Sequence, residues 1–189
     1  RQRLGLDDST PCLVCLGAFT AEKGIADLIT SLARLPPESC LLLPGEGPLR
    51  AALQRQAQTL RLGARVRFVG DAEFSPAEWV AAADIFAMPS LQEGLGSAAL
   101  LAMALRRPIV ASTAGGIPEL VEPDSTGLLV PPGDPAALAA ACRRLLDDAA
   151  LAQRLVGNAA RRVQQRHGAA QLAAATLAAY GSQLPRSGR

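Results

Sequence analysis

Pro89-Ser-Leu-Gln-Glu-Gly-Leu-Gly-Ser-Ala-Ala-Leu-Leu-Ala-Met-Ala-Leu105 is the stretch that decides the fold. It continues from an apolar strand predicted over 84–89 and passes through a glycine turn into a helix predicted to begin near Ser97, a residue type that caps helices. Four residues at i, i+3, i+4 and i+7 predict the buried face of this helix: Ala98, Leu101, Ala102 and Leu105. The stretch is therefore a strand, turn and helix joined as one unit.

The glycine turn has the properties of an anion site. The first amides of a helix have no partner within the helix, and they carry the positive end of its dipole, so a phosphate suits this position. Residues 94–99 also fit the relaxed dinucleotide pattern G-x-G-x-x-A. That pattern belongs after the first strand, whereas here it follows the fourth, so NAD binding and a purely structural turn are the weaker alternatives.

Apolar strand-like runs alternate with amphipathic helical runs along the chain. The strands are predicted at 12–16, 40–43, 65–69, 84–89, 108–111 and 126–130. Ser75 and Asp134 are predicted helix caps, and Pro48 is predicted to lie in the first turn of the second helix. The alternation predicts an α/β fold, a doubly wound parallel sheet of about six strands of the Rossmann-like kind. Two more helices are expected at 153–165 and 169–180, with a flexible tail at 184–189.

Composition narrows the possible functions. The chain has 189 residues, 49% of them hydrophobic, and a net charge of +2. It therefore suits one domain, and without a clustered basic face it is not expected to bind nucleic acid. It contains no run of ~18 apolar residues that would cross a membrane, so we expect a cytoplasmic protein. Arginines at 143–144, 161–162 and 166 are expected on helix surfaces, with peripheral membrane association through acidic lipids as the alternative.

The cysteines and the histidine, residue types that often bind metals, do not indicate a metal site in this sequence. Cys12 and Cys15 are predicted to point to opposite faces of one strand, and Cys40 and Cys142 lie in other apolar elements. We therefore expect buried thiols in a reducing compartment, with no disulfide and no metal. His167 is the single histidine and is expected on the surface.

Three motifs occur in order and together resemble one known family: Ser90-Leu-Gln-Glu-Gly-Leu-Gly96, Ala102-Met-Ala104 and Gly115-Gly-Ile-Pro-Glu119. They resemble the donor-binding, C-terminal domain of a GT-B retaining glycosyltransferase of the sucrose-synthase-like and mannosyltransferase-like group 1 family. The resemblance implies transfer of a sugar from a nucleoside-diphosphate sugar to an unidentified acceptor. It also implies that residues 1–189 are the nucleotide-sugar-binding domain and that the N-terminal acceptor domain lies outside this chain, which begins with Arg rather than Met.

The resemblance assigns catalytic roles to two residues. Glu93 matches the first of the two family glutamates separated by seven residues, the one that contacts the donor sugar, whereas Leu101 stands where the second would bind the ribose. Lys23 matches the diphosphate-binding lysine of the first glycine loop, in which Ala18 replaces an arginine. The donor-binding positions that it implies are Gly17, Ala18, Gly45, Glu46, Val69, Gly70, Gly94, Leu95, Gly96, Ser97, Ala98 and Leu101.

Two other functions are also compatible with the sequence. Because Ala18 and Leu101 replace ligand-facing residues of the family pattern, the chain could be a degenerate domain that binds or assembles without catalysis. Because a fold does not fix its chemistry, a GT-B nucleotide-sugar epimerase is the other alternative.

Overall fold

The computed structural model describes residues 1–70 and 74–166, and its centre is one parallel sheet. The sheet has six strands in the order β3-β2-β1-β4-β5-β6. Their bounds are β1 Cys12–Val14, β2 Cys40–Pro44, β3 Val66–Val69, β4 Ile85–Met88, β5 Ile109–Ser112 and β6 Leu128–Val130. This architecture confirms the predicted fold class. His167, the helix expected at 169–180 and the tail at 184–189 lie outside the described residues.

Helices cover both faces of the sheet. They are α1 Ile25–Leu32, α2 Arg50–Thr59, α3 Pro76–Ala82, α4 Ser97–Ala104, α5 Ile117–Leu120, α6 Pro135–Asp147 and α7 Ala149–Arg166. Leu28, Leu53 and Leu138 belong to the apolar cluster on one face, and Trp79 and Ile117 belong to the cluster on the other. The chain therefore buries apolar side chains on each side of a sheet that is itself apolar, as doubly wound folds require.

Two predicted caps are confirmed. The Ser75 hydroxyl accepts a hydrogen bond from the Glu78 amide at 3.3 Å, and the Glu78 carboxylate accepts one from the Ser75 amide at 2.8 Å. Asp134 accepts hydrogen bonds from the amides of Ala136 and Ala137, both at 2.9 Å. These caps fix where α3 and α6 begin.

α4 begins at Ser97 as predicted, but the predicted cap and the predicted buried face are wrong in detail. Gly96, with φ 73°, caps the helix, and Ser97 is the first helical residue and makes no cap bond. The fully buried residues are Ala99, Ala102 and Met103. Ala98, Leu101 and Leu105 are only half-buried. Because α4 is apolar on nearly every side and packs against α3, α5 and α7 as well as the sheet, its sequence period cannot select one face.

The second helix also differs from its prediction. It begins at Arg50, two residues after Pro48, and its buried residues are Leu53 and Ala57. Leu60, the next apolar residue after Leu53 and Ala57, is 36% exposed. The helix ends at Thr59, so Leu60 no longer follows the helical period.

Neighbouring loops at the carboxyl edge of the sheet touch through their backbones. The Phe19 amide donates to the Glu46 carbonyl at 2.8 Å, which ties the loop after β1 to the loop after β2. A Cβ on Gly45, whose φ is 150°, would overlap the Gly17 carbonyl oxygen. Between the loops after β4 and β5, the Gly116 amide donates to the Gly94 carbonyl at 3.1 Å.

The thiols divide as predicted between the two faces, but two of them are strand neighbours. Cys12 and Cys15 belong to opposite apolar clusters, while Cys12 lies directly beside Cys40 in the register of β1 and β2. Hydrogen bonding between these two neighbouring thiols lowers the pKa of Cys40 and raises the pKa of Cys12. Burial raises the pKa of Cys15 and Cys142 to about 12.

We predict that Cys40 is the first thiol to be alkylated. Because its pKa is lowered, Cys40 forms a thiolate at a lower pH than Cys15 and Cys142, whose pKa values are raised, so at pH 8 iodoacetamide should label Cys40 at least about tenfold faster than either of them. Peptide mass spectrometry over a time course at pH 6 and pH 8 measures this, with Cys40→Ser as the control that removes the early product. Labelling of Cys15 or Cys142 as fast as Cys40 would contradict the prediction.

We also predict that replacing Gly115 destabilises the protein, whereas replacing Gly94 does not. Gly115 has φ 51°, and a Cβ there would overlap the Glu93 carbonyl oxygen, so Gly115→Ala should lower the free energy of unfolding by at least about 2 kcal/mol. A Cβ on Gly94 meets no atom within 4 Å, so Gly94→Ala is the matched control and should stay within about 0.5 kcal/mol. Urea denaturation of both variants tests the difference, and equal losses would argue against it.

Candidate functional site

An ion pair joins the loops that follow β1 and β4. The Lys23 Nζ lies 2.8 Å from Glu93 Oε2, and the two side chains are 28% and 13% exposed. Lys23 ends a 3-10 turn, Ala21–Lys23, immediately before α1. Glu93 lies in the loop before α4. The two residues meet because β1 and β4 are neighbours in the sheet and their loops leave it at the same edge.

Lys23 is unusual for its residue type. Among the 19 lysines and arginines of the sequence it is the single lysine. An ammonium is a compact charge with three donors, whereas a guanidinium is a flat fork that pairs with one planar partner. This contrast between one lysine and many arginines is a signal in the sequence that would have singled out Lys23 without any family resemblance.

A small cavity of about 50 Å³ lies beside the ion pair. It is lined by Cys15, Leu16, Lys23, Met88, Pro89, Ser90, Glu93, Ser97 and Ala98. The first turn of α4 therefore faces the same space as the Lys23 ammonium. A helix start and a cation together favour an anionic group, and the Glu93 carboxylate can accept hydrogen bonds from a hydroxyl-bearing one.

A larger cleft of about 370 Å³ adjoins the small cavity at Leu16. Its lining is mainly apolar: Leu16, Gly17, Ala18, Pro44, Gly45, Glu46, Phe74, Pro76 and Trp79. The Phe74 and Trp79 rings meet edge to face, with centroids 4.9 Å apart. Trp79 is only 2% exposed and Arg3 lies 4.2 Å above the Phe74 ring, so it is the apolar surface of the cleft as a whole that suits a planar ring.

The structure brings together eight of the residues predicted from the sequence. Gly17, Ala18, Gly45 and Glu46 line the large cleft, and Lys23, Glu93, Ser97 and Ala98 line the small cavity.

The other six predicted residues line neither space: Val69, Gly70, Gly94, Leu95, Gly96 and Leu101. Val69 is the last residue of β3, and Gly70 is exposed. The Leu95 side chain is 68% exposed, while Leu101 packs against the apolar cluster beneath α4.

Ser90 and the aromatic wall are absent from the residues predicted from the sequence. The Ser90 hydroxyl donates to Glu93 Oε2 at 3.2 Å, and the residue is only 1% exposed. A serine three residues before a candidate glutamate was the available signal. Trp79 is the single tryptophan of the chain. It was not predicted to line the site, because the capping box of its helix indicated only where the helix begins.

Three of the five arginines expected on helix surfaces form ion pairs within the protein. Arg162 pairs with Glu122, Arg144 with Asp124 and Arg143 with Asp147. These pairs reduce the positive charge that the α6 and α7 surface offers to acidic lipids. Within residues 1–70 and 74–166, no helix is long and apolar enough to cross a membrane. The same residues hold no group of three or more His, Cys, Asp or Glu arranged for a metal ion.

Two proteins of known activity are informative relatives. The chain is 36% identical over 165 residues to an alpha-D-kanosaminyltransferase from Streptomyces kanamyceticus, covering 85% of this chain and 42% of that protein. It is also 36% identical over 159 residues to a GDP-mannose-dependent monoacylated alpha-(1-6)-phosphatidylinositol monomannoside mannosyltransferase from Corynebacterium glutamicum, covering 78% and 41%. The chain thus spans less than half the length of these two curated relatives.

A solved structure has the same fold. Anabaena Alr3699/HepE, in complex with UDP and glucose, superimposes with a TM-score of 0.87 at 30% identity, covering 95% of this chain and 51% of that one. The family model described as Glycosyl transferases group 1 matches residues 10–148. A parallel sheet of this topology is one half of the GT-B architecture, and the chain belongs to the glycosyl transferases group 1 family.

Proposed function

We propose that this chain binds the nucleoside-diphosphate sugar of a retaining glycosyltransferase, in which a further acceptor-binding domain completes the active site. The observation that carries the proposal is the Lys23–Glu93 pair, which stands at the start of α4 beside a cleft with an aromatic wall. A cation, a helix start and a carboxylate in one cavity match the diphosphate and the sugar of such a donor.

The two adjoining spaces suggest how the donor lies. The nucleobase occupies the large cleft against Phe74 and Trp79, and the diphosphate reaches Lys23 and the first turn of α4. The sugar then lies near Glu93. The Anabaena neighbour was solved with UDP and glucose, and the Corynebacterium relative is GDP-mannose-dependent, so both bases are sensible probes.

The residues of the cavity act on the leaving group and on the sugar. As the bond between sugar and phosphate breaks, negative charge grows on the diphosphate, and the Lys23 ammonium and the helix amides stabilise it. Glu93 accepts a hydrogen bond from a sugar hydroxyl and orients the ring. Because the acceptor is bound by another part of the protein, residues 1–189 alone should bind the donor without transferring the sugar.

A second candidate function rests on two residues. Ala18 is exposed on the wall of the large cleft, and Leu101 packs against the apolar cluster, so neither supplies a polar group to the donor. A domain that binds nucleotide weakly and serves assembly rather than catalysis would tolerate both residues. The absence of any nucleotide binding by the wild-type chain would favour this candidate.

Lys23 and Glu93 should affect different parts of the donor. Lys23→Ala should weaken binding of UDP or GDP itself by about 1.5–3 kcal/mol, since it removes a charged donor to phosphate. Glu93→Gln should not weaken that affinity, because it removes a negative charge beside the phosphate, and it should reduce the preference for UDP-glucose over UDP, or for GDP-mannose over GDP. Calorimetry with the four ligands measures both effects. Arg34→Ala, on the exposed surface after α1, is the control for loss of a cation. Equal losses for all ligands in both variants would contradict this division.

Introducing the residues that the family pattern has at positions 18 and 101 tests whether the donor lies against the first glycine loop and α4. Ala18→Arg should tighten UDP or GDP binding by about 1.5–3 kcal/mol, because its side chain extends into the cleft from an exposed position. Leu101→Glu should lower the melting temperature, because it places a carboxylate on a half-buried apolar surface, and nucleotide should restore part of the loss. Thermal denaturation with and without nucleotide measures both. If neither Ala18→Arg nor Lys23→Ala changes diphosphate affinity, the first glycine loop does not hold phosphate.

A further inference from the structure

The two protein donors that reach Glu93 converge on the same carboxylate oxygen. Lys23 Nζ lies 2.8 Å from Oε2, and the Ser90 hydroxyl lies 3.2 Å from it. Within residues 1–70 and 74–166, no hydrogen bond to Oε1 is formed. A carboxylate has acceptor capacity on both oxygens, so Oε1 is the oxygen that a ligand hydroxyl can use.

Ser90 is held in place more firmly than Glu93. It is 1% exposed, and its carbonyl accepts a hydrogen bond from the hydroxyl of Ser112, which is also 1% exposed. The residue before it, Pro89, lies against the backbone of Gly24 so closely that a Cβ on Gly24 would overlap the Pro89 carbonyl. The Ser90 hydroxyl therefore projects from a backbone fixed by β5 and by the loop after β1.

The two donors are not equivalent once a phosphate is present. The Lys23 side chain is 28% exposed on a flexible stem, and a diphosphate competes with the carboxylate for the donors of its ammonium. The Ser90 hydroxyl is buried and neutral, and Glu93 is the hydrogen-bond partner in its reach. Ser90 is thus the donor to Oε2 that the ligand does not share.

We propose that Ser90 is a positioning residue, which holds Oε2 of Glu93 so that Oε1 faces a hydroxyl of the donor sugar. This inference rests on the proposed function, because it assigns the sugar to Glu93. It adds that recognition of the sugar depends on a buried hydroxyl that does not itself contact the donor. Loss of this hydroxyl frees the carboxylate to rotate, while the diphosphate contacts remain intact.

The experiment compares buried serines. Ser90→Ala removes the hydrogen bond to Glu93. Ser31→Ala removes a hydroxyl that is equally buried but bonds the Leu28 carbonyl in α1, away from the cavity. Ser90→Cys has a side chain of similar size whose thiol is a much weaker donor. It replaces Ser90→Ala in the test if the melting temperature of Ser90→Ala is lower than that of Ser31→Ala. Ser90→Thr keeps the hydroxyl and is the rescue variant.

The measured quantity is the ratio of the dissociation constants for UDP and UDP-glucose, and for GDP and GDP-mannose, in calorimetry on the 189-residue chain. Ser90→Ala and Ser90→Cys should lower the ratio by about fivefold to tenfold, with the affinity for UDP or GDP alone within about twofold of the wild type. Ser31→Ala should leave the ratio unchanged, and Ser90→Thr should restore most of it.

Two results would overturn the proposal. An unchanged ratio in folded Ser90→Ala and Ser90→Cys means that Glu93 needs no positioning by Ser90. A proportional loss for nucleotide and nucleotide sugar alike means that Ser90 only supports the loop. If the wild-type chain prefers neither nucleotide sugar over its diphosphate, the sugar role of Glu93 fails and this inference fails with it, whereas a wild-type preference that survives in the variants refutes the inference alone.

Discussion

Backbone contact between neighbouring loops is the constraint on which the site depends. Parallel strands end at one edge of the sheet, about 4.8 Å apart, so the loops that follow them crowd together there. Their closest approaches lie where one side lacks a side chain, as Gly45 does against Gly17 and Gly115 does against Glu93. With these approaches fixed, Lys23 and Glu93 meet although 70 residues separate them in sequence.

The order of the sheet determines which loops share a wall. β1 and β4 are the central neighbours, so the loops that carry Lys23 and Glu93 face each other. β2 lies outside β1 and brings Glu46 to the large cleft, whereas β5 lies outside β4 and supplies Ser112, which anchors Ser90. The charged residues thus lie at the centre of the edge, with the apolar cleft to one side and the anchoring contacts to the other.

Hydrophobic periods and helix caps made much of the fold predictable from the sequence. The packing of α4 and the pairing of two thiols could not be predicted in this way. The Ser75 and Asp134 caps depend on neighbours within a few residues. The face of α4 was mispredicted because packing against α7 and the sheet decides it, and its own apolar sequence favours no side. The pairing of Cys12 with Cys40 needed the strand order, which hydropathy does not encode. In the site, Lys23 and Glu93 were identified from the family resemblance. The place of Trp79 in the wall of the large cleft could not be predicted, because tryptophan is commonly buried in the core and only the shape of the cleft shows its position.

Under the proposed function, the charge balance of the cavity favours a lysine at position 23 in a chain whose other strong bases are arginines. The Lys23–Glu93 pair is electrically neutral, so besides the helix amides a phosphate is attracted by the ammonium donors that Lys23 does not use on Glu93. An arginine would lay its planar fork against the carboxylate in a two-point contact and lose much of its capacity for a second anion. An ammonium has three separate donors, and it can bond Oε2 of Glu93 and a phosphate oxygen together. In the proposed donor complex this ammonium lies between the two anions and offsets the repulsion between the Glu93 carboxylate and the diphosphate, so both can lie in one small cavity.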